Sequence, residues 1–242
     1  LVVIGNAMQE RSRAPLEKIK QPTKHFNLCQ IFRTPFGESG TSQASRKRTS
    51  EDERTRLRRS KSIDHRLALE RALLFGKRSE DANGKRRTTG GLLEFIQTNV
   101  FDIGGPLTES AFEETLEEPF QVGNGRKLLV ASARFITAIN RFAREKLRVE
   151  VGAQTYGVRM AVYLSGHGEL RIVPSRAFEK YYQGWAILVD MDYVWYRPLR
   201  DTVLKTNIQE NDEDGWTDEY FTEAGLQVEL EKAHAVYKGV TG

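Results

Sequence analysis

Residues 50–75, SEDERTRLRRSKSIDHRLALERALLF, run without Gly or Pro from a helix-start signal to a helix stop at Gly76. Ser50 followed three residues later by Glu53 forms a capping-box pattern. The spacing predicts a helix of about 25 residues, roughly 37 Å long at about 1.5 Å per residue. Its two halves differ. EDERTRLRRSKS is almost wholly polar, whereas IDHRLALERALLF places Ile63, Leu67 and Leu74 near one stripe, with Leu69 and Leu73 beside it. Such a helix is anchored by its C-terminal half, and its charged N-terminal half must lie over a surface or a neighbouring chain.

Upstream, residues 1–49 are poor in apolar side chains, and FGESGTSQASRKRTS reads as an exposed loop or arm with a basic end. Within this region FNLCQIFRTPF alternates enough for an extended strand that ends at Pro35. A segment that cannot bury itself usually lies on something else.

Downstream, RSEDANGKRRTTGG is a hydrophilic linker with an Asn-Gly turn, and LLEFIQTNV a short buried element. LTESAFEETLEEPF reads as a short acidic helix, with Ser110 and Glu113 as its capping box and Pro119 limiting its far end. A strand in GNGRKLLVAS leads into the clearest amphipathic helix, SARFITAINRFAREKL, capped by Ser132 and apolar along Phe135, Ile139 and Phe142. The remainder is mainly β. YGVRMAVYL and ELRIVPS flank the turn SGHG, GWAILVD and YVWYRPL flank DMD as a second hairpin, and residues 201–242 read as extended strands around an acidic turn. Helices and strands come in blocks, so the fold class is α+β.

With 242 residues, 39% hydrophobic and 29% charged, the chain can bury at least one substantial core. No run approaches the roughly 18 apolar residues of a membrane helix, and no membrane partner is expected. LVVIGNAMQERS is too short in apolar residues for a secretory segment. The single Cys29 cannot form an internal disulfide or a cysteine zinc site, which points to a reducing compartment or indifference to redox.

The net charge of +4 hides a polarised chain. Residues 1–90 carry 21 Lys and Arg against 10 Asp and Glu, a balance of +11, and the rest carry 16 against 23, a balance of −7. Three readings follow. The basic part binds polyanions without sequence preference; or it docks on the acidic part of the next copy, head to tail; or it forms intrahelical pairs on a solvated face.

Catalytic patterns are missing. GESGTS lacks the spacing and lysine of a phosphate-binding loop, LSGHG is not a nucleophile elbow, and His25, His65, His167 and His234 show no metal-ligand spacing. Asp190 and Asp192 could hold Mg²⁺ or act as an acid/base pair, but Asp at i, i+2 in a turn more often caps backbone N–H groups. No cofactor is expected. Trp185, Tyr193 and Trp195 sit in apolar β context, which favours core or subunit interface over base stacking.

The order of elements, and the phrases NLCQIF, LERALLFGKRSE, TGGLLEFI, LTESAFEE, VYLSGHGELRIV, YVWYRPLRDTVLKTNIQ and YFTEAGLQVELEKAHA, resemble major capsid proteins of tailed phages with the Hong Kong 97-like fold, over residues 25–242. The resemblance implies an N-terminal arm at 1–24, an extended loop at 25–49 and a spine helix from Ser50 to Gly76. The first part of a peripheral domain would run to 125, an axial domain would occupy 126–196, and 197–242 would return to the peripheral domain. It also implies a homo-oligomer of hexamers and pentamers enclosing double-stranded DNA, with portal, scaffolding and possibly decoration proteins as partners, assembled in the host cytoplasm and located in the virion. The implied intersubunit contacts are Asn27, Gln30, Phe32 and Phe36 on the loop and Arg54, Arg58, Arg59 and Lys61 on the helix. Replacing Arg58 and Arg59 by Glu is then expected to damage association more than folding, as surface charges contribute little to a fold. Deleting 33–46 is expected to leave a folded subunit that assembles poorly. The alternative is a non-specific DNA-binding protein using the basic helix at 51–66, with Arg54, Arg56, Arg58, Arg59 and Lys61 on phosphates.

Overall fold

The computed structural model describes residues 5, 7–17, 19, 21, 23–45, 52–142, 147–149 and 161–241. The Ser50 cap, the basic run at 46–48 and the YGVRM at 156–160 fall outside them.

In chain order, strand β1 (Gln30–Ser39) and helix α1 (Gly40–Ala44) precede the long helix α2 (Glu53–Phe75), which is followed by a small hairpin of β2 (Ser79–Glu80) and β3 (Arg87–Thr88). Helix α3 (Leu92–Phe95), β4 (Val100–Asp102), α4 (Glu109–Phe120), β5 (Arg126–Ala131), α5 (Ala133–Phe142), β6 (Leu147–Val149), β7 (Ala161–Leu164), β8 (Glu169–Pro174), β9 (Ala186–Val189), β10 (Val194–Lys205), β11 (Gly215–Val228) and β12 (Ala235–Lys238) complete the fold.

Two sheets organise the molecule. One is mixed and seven-stranded, in the order β4-β12-β9-β5-β8-β7-β6. Its interior strand β9, Ala-Ile-Leu-Val, is buried at all four positions, because successive side chains enter cores on opposite faces. Ala186 and Leu188 join Phe112, Leu116, Phe135 and Ile139 from α4 and α5 on one face. Ile187 and Val189 join Leu74, Leu92, Ile96 and Phe178 on the other, where the C-terminal end of α2 packs. Each fully buried aliphatic or aromatic side chain there contributes about 1.5–3 kcal/mol.

The second sheet is antiparallel, three-stranded and ordered β1-β11-β10. β1 pairs with β11 in unbroken register from Gln30↔Ala224 to Ser39↔Gly215, while the β10–β11 ladder shifts between Pro198 and Arg200 and again between Arg200 and Val203. Helix α2 belongs to both sheets. Its C-terminal end inserts Leu74 into the second core and stacks Phe75 on Tyr182 at 4.0 Å, whereas its N-terminal half lies along the three-stranded sheet.

Several local expectations are corrected. α2 is capped by Asp52, whose carboxylate accepts from the Thr55 N–H at 3.3 Å, because Asp fills this role as well as Ser and stands one turn before the first free N–H groups. Its C-cap is Gly76 as anticipated; a Cβ there would lie 2.3 Å from the Ala72 carbonyl oxygen. Ile63 does not face the core and is 55% exposed, whereas His65 is buried. β1 continues through Pro35, which an edge strand tolerates. α4 takes Thr108 as its cap in place of the Ser110 box, and Pro119 sits inside its last turn. α5 keeps the expected Ser132 cap and buries Phe135 and Ile139. The hairpin around SGHG is present as β7 and β8. That around DMD is not, because β9 pairs with β5 and β12 while β10 crosses to β11. The seven-stranded sheet also combines β4 and β12 with β5–β9, and so crosses the expected boundaries at 125/126 and 196/197.

Candidate functional site

Of the residues singled out, Phe36 on the loop and Arg54 and Arg58 on the helix meet on one surface, the face of the three-stranded sheet beneath α2. β11 alternates, and its even positions Trp216, Asp218, Tyr220, Thr222 and Leu226 turn toward the helix. β1 adds Thr34 and Phe36, the latter 6.1 Å from the Trp216 ring and 5.7 Å from that of Tyr220.

Asp218 is the hub of this face and is fully buried. Arg54 grips it through two bonds, Nε to Oδ2 at 3.0 Å and Nη2 to Oδ1 at 2.6 Å. Arg58 adds two more to Oδ2, at 3.0 and 2.8 Å, and the Asn207 N–H donates to Oδ1 at 3.1 Å. Arg54 also covers the Trp216 ring at 4.6 Å. Burial alone would push the Asp218 carboxyl up; the hydrogen bonds from Arg54, Asn207 and Arg58 outweigh it and hold it below the usual carboxylate range. An N-terminal helix half that looks like a free basic surface is therefore latched at Arg54 and Arg58 to its own sheet.

Two turns further on, His65 is 1% exposed. Its Nδ1 lies 2.8 Å from the Thr34 hydroxyl and its Nε2 2.8 Å from that of Thr222, which in turn lies 2.8 Å from the Thr202 hydroxyl. This relay joins α2 to all three strands. A neutral imidazole donates from one nitrogen and accepts at the other, and threonine hydroxyls match either arrangement. Burial holds the His65 pKa down.

The root of the N-terminal arm is pinned separately. The Asn27 amide donates to the carbonyls of Gly90 and Leu226 at 2.9 and 2.8 Å and accepts from the Gly90 N–H at 2.8 Å. Gln30 accepts from the Thr89 N–H at 3.1 Å. Every described residue from 5 to 26 is exposed, with Leu16 at 95% and Ile19 at 75%.

The anticipated contact residues thus have partners or burial within their own chain: Asn27, Gln30, Arg54 and Arg58 by hydrogen bonds, Phe32 and Phe36 by burial. Lys61 pairs with Asp64 at 3.0 Å on the same helix, and Arg59 is exposed. Asp218, Tyr220, Thr222 and His65 escaped the sequence reading. The available signals were the spacing of Arg54, Arg58 and His65, which share a helix face, and of Trp216, Asp218 and Tyr220, which share a strand face.

Asp190 and Asp192 do not form an open pair. Asp190 is buried and accepts from the Asn124 N–H at 2.8 Å, the Asp192 N–H at 3.2 Å and the Lys127 ammonium at 3.3 Å. Lys127 completes its donors on the carbonyls of Val122 and Ala233, and the Asp190 N–H donates to buried His234. This is a capped turn tied across β5, β9 and β12. Among the described residues no group of three or more His, Cys, Asp or Glu is placed to hold a metal, and no helix is long and apolar enough to cross a membrane.

A family model described as SU10 major capsid protein matches residues 4–241. Among solved structures, the chain is similar to the holo-SrpI encapsulin complex from Synechococcus elongatus PCC 7942, with a TM-score of 0.60 and 13% identity over 88% of this chain and 74% of that one. It is similar to the capsid of an empty GTA particle, with a TM-score of 0.60 and 11% identity over 98% and 81%. The structure described as Microbacterium phage Oxtober96 gives a TM-score of 0.57 at 12% identity, over 88% and 73%. At these identities the likeness establishes the fold, α+β and Hong Kong 97-like. No curated protein matches the chain.

Proposed function

The chain belongs to the SU10 major capsid protein family, and from that premise we propose that its copies associate as pentamers and hexamers of an icosahedral phage head enclosing double-stranded DNA, without catalysis. As a major capsid protein it forms a shell and is a structural component of the virion. Assembly in the host cytoplasm, with portal and scaffolding partners, belongs to the same reading.

The observation that carries the reading is the exposed N-terminal segment. Met8, Leu16 and Ile19 are 50–95% exposed upstream of a clamp at Asn27, and exposed apolar side chains on an arm suit burial against another copy. Residues 25–49 and α2 then present the intersubunit contact. Asn27, Gln30, Phe32, Phe36, Arg54 and Arg58 build and hold its platform, and Arg59 and Lys61 face outward from it. The division into arm, loop, spine helix, peripheral and axial parts belongs to this reading. A role as an isolated DNA-binding helix is disfavoured, since Asp218 already occupies Arg54 and Arg58, two of the five cations such a role needs.

Electron microscopy of the purified or co-expressed protein tests the reading: uniform shells or capsomer rings are expected, and a monodisperse monomer under every condition contradicts it.

A further inference from the structure

The face of the three-stranded sheet turned away from α2 is rich in cations that are already neutralised. Arg33 donates to Glu219 at 2.8 Å and Arg200 to Glu223 at 2.6 Å. Beside them the β2–β3 hairpin, together with Ile31 and Glu223, encloses a cleft of about 350 Å³ whose rim carries Lys85, Arg86 and Arg87. Arg87 has Glu80 at 3.1 Å and Arg86 lies in the field of the Asp81 carboxylate, whereas no ion pair engages the side chain of Lys85 or Arg86 among the described residues. The cleft's one carboxylate, Glu223, is taken by Arg200. The cleft is therefore preformed, lined by more cations than carboxylates, and unfilled by the described residues of its own subunit.

The complementary element is the β10–β11 turn. Glu210, Asp212, Glu213 and Asp214 are exposed there in five consecutive residues, and no ion pair engages them among the described residues. The turn has a fixed shape: the Glu213 N–H donates to the Glu210 carbonyl at 3.2 Å, and the Thr217 N–H to the Gln209 side chain at 3.1 Å. A rigid turn loses little conformational freedom on docking. It cannot reach the cleft of its own chain. Glu223 on β11 lies eight residues, about 27 Å at about 3.4 Å per residue, from Gly215, where the strand meets the turn.

We infer that the acidic β10–β11 turn of one copy seats in the basic β2–β3 cleft of a neighbouring copy. Because the turn and the cleft lie on different parts of one chain, the contact is head to tail, the kind that closes rings. It rests on the shell-forming reading above and assigns to it two particular patches.

Charge reversal in the full chain tests the pairing. Lys85→Glu with Arg86→Glu, and separately Glu210→Lys with Asp212→Lys and Glu213→Lys, each lower particle yield by about tenfold, while all five changes in one chain restore it. The neutral changes Lys85→Gln and Arg86→Gln give a smaller loss in the same direction, with the melting temperature of the unassembled subunit unchanged. Normal yield from either one-sided variant, or failure of the five-fold variant to recover, overturns the pairing and leaves the shell-forming reading standing. Particles of normal yield that retain less nucleic acid assign the cleft to DNA and overturn it also. Absence of particles from the unsubstituted protein overturns the shell-forming reading itself.

Discussion

Asp218 concentrates the electrostatics of the helix-on-sheet unit in one carboxylate. Replacing it with Asn keeps the shape but leaves two guanidinium groups without their buried counter-charge. Removal of one partner of a buried pair typically costs about 3–5 kcal/mol; with Arg54 28% and Arg58 34% exposed, water recovers part of this, and about 2 kcal/mol is expected. Urea unfolding of the unassembled subunit checks it, and an unchanged midpoint would show the latch to be idle. The expectation that reversing Arg58 and Arg59 damages association more than folding is revised at Arg58, because Arg58→Glu would set a carboxylate against Asp218 and weaken the subunit itself. His65 carries the same pH sense at higher pH. Burial lowers its folded pKa below the ordinary 6.5, so the unfolded chain binds the proton first, and stability is lost as pH falls through 6.5 toward the folded value. On α2 its charged neighbours in sequence are Lys61, Asp64 and Arg66, and on β11 it has the Tyr220 ring at 5.9 Å. Buried His234 contributes in the same direction, whereas Asp218 acts only where carboxylates protonate, below about pH 4. A His65→Gln variant should therefore lose less melting temperature between pH 8 and 5 than the parent; equal losses would assign the effect elsewhere.

Elements were legible where local chemistry and burial agree, and misread where long-range pairing decides. α5 shows its period because Phe135, Ile139 and Phe142 all turn into one core. In α2 the apolar stripe misleads at Ile63, since the N-terminal half faces Asp218 and Thr222 across a polar seam, and polar contacts leave no hydropathy period. The false hairpin around DMD has a similar origin: the Asp190 cap makes a sound local turn, but β9 and β10 then part for different sheets. Cap register makes a direct test. Thr108→Ala should cost about 1 kcal/mol, since Thr108 Oγ1 accepts from the Ala111 N–H, while Ser110→Ala should be nearly neutral. Thermal unfolding distinguishes the two, and a larger effect at Ser110 would restore the sequence-based cap. Deletion of 33–46 belongs at this scale too. Read as a loop it is dispensable, but it removes Arg33 through Ser39 of β1 together with buried Phe36, so the isolated subunit is expected to be destabilised along with assembly.

Over the whole chain, the polarity of charge was plain from composition, with +11 in residues 1–90 and −7 beyond, but its use was not. Part of the attraction is consumed within one copy, where Arg54 and Arg58 from the basic part meet Asp218 from the acidic part. No periodicity foretells which cations are spent in this way, because the choice depends on two segments about 160 residues apart coming together. Hydrophobic exposure on the arm has no such internal outlet. Leu16 at 95% and Ile19 at 75% add nothing to either core, and no described residue among 1–22 is buried. Surface that a monomer leaves bare and an assembly covers affects association without affecting folding. Truncation before Thr23 keeps the Asn27 clamp, and is therefore expected to leave the melting temperature of the unassembled subunit within about 2 °C, a shift expected for changes well under 1 kcal/mol in a chain of this size. Particle yield, read by sedimentation, should fall severalfold. A truncated chain that melts early would place the arm within the subunit's own stability, and one that assembles at full yield would leave Leu16 and Ile19 without a partner in the shell.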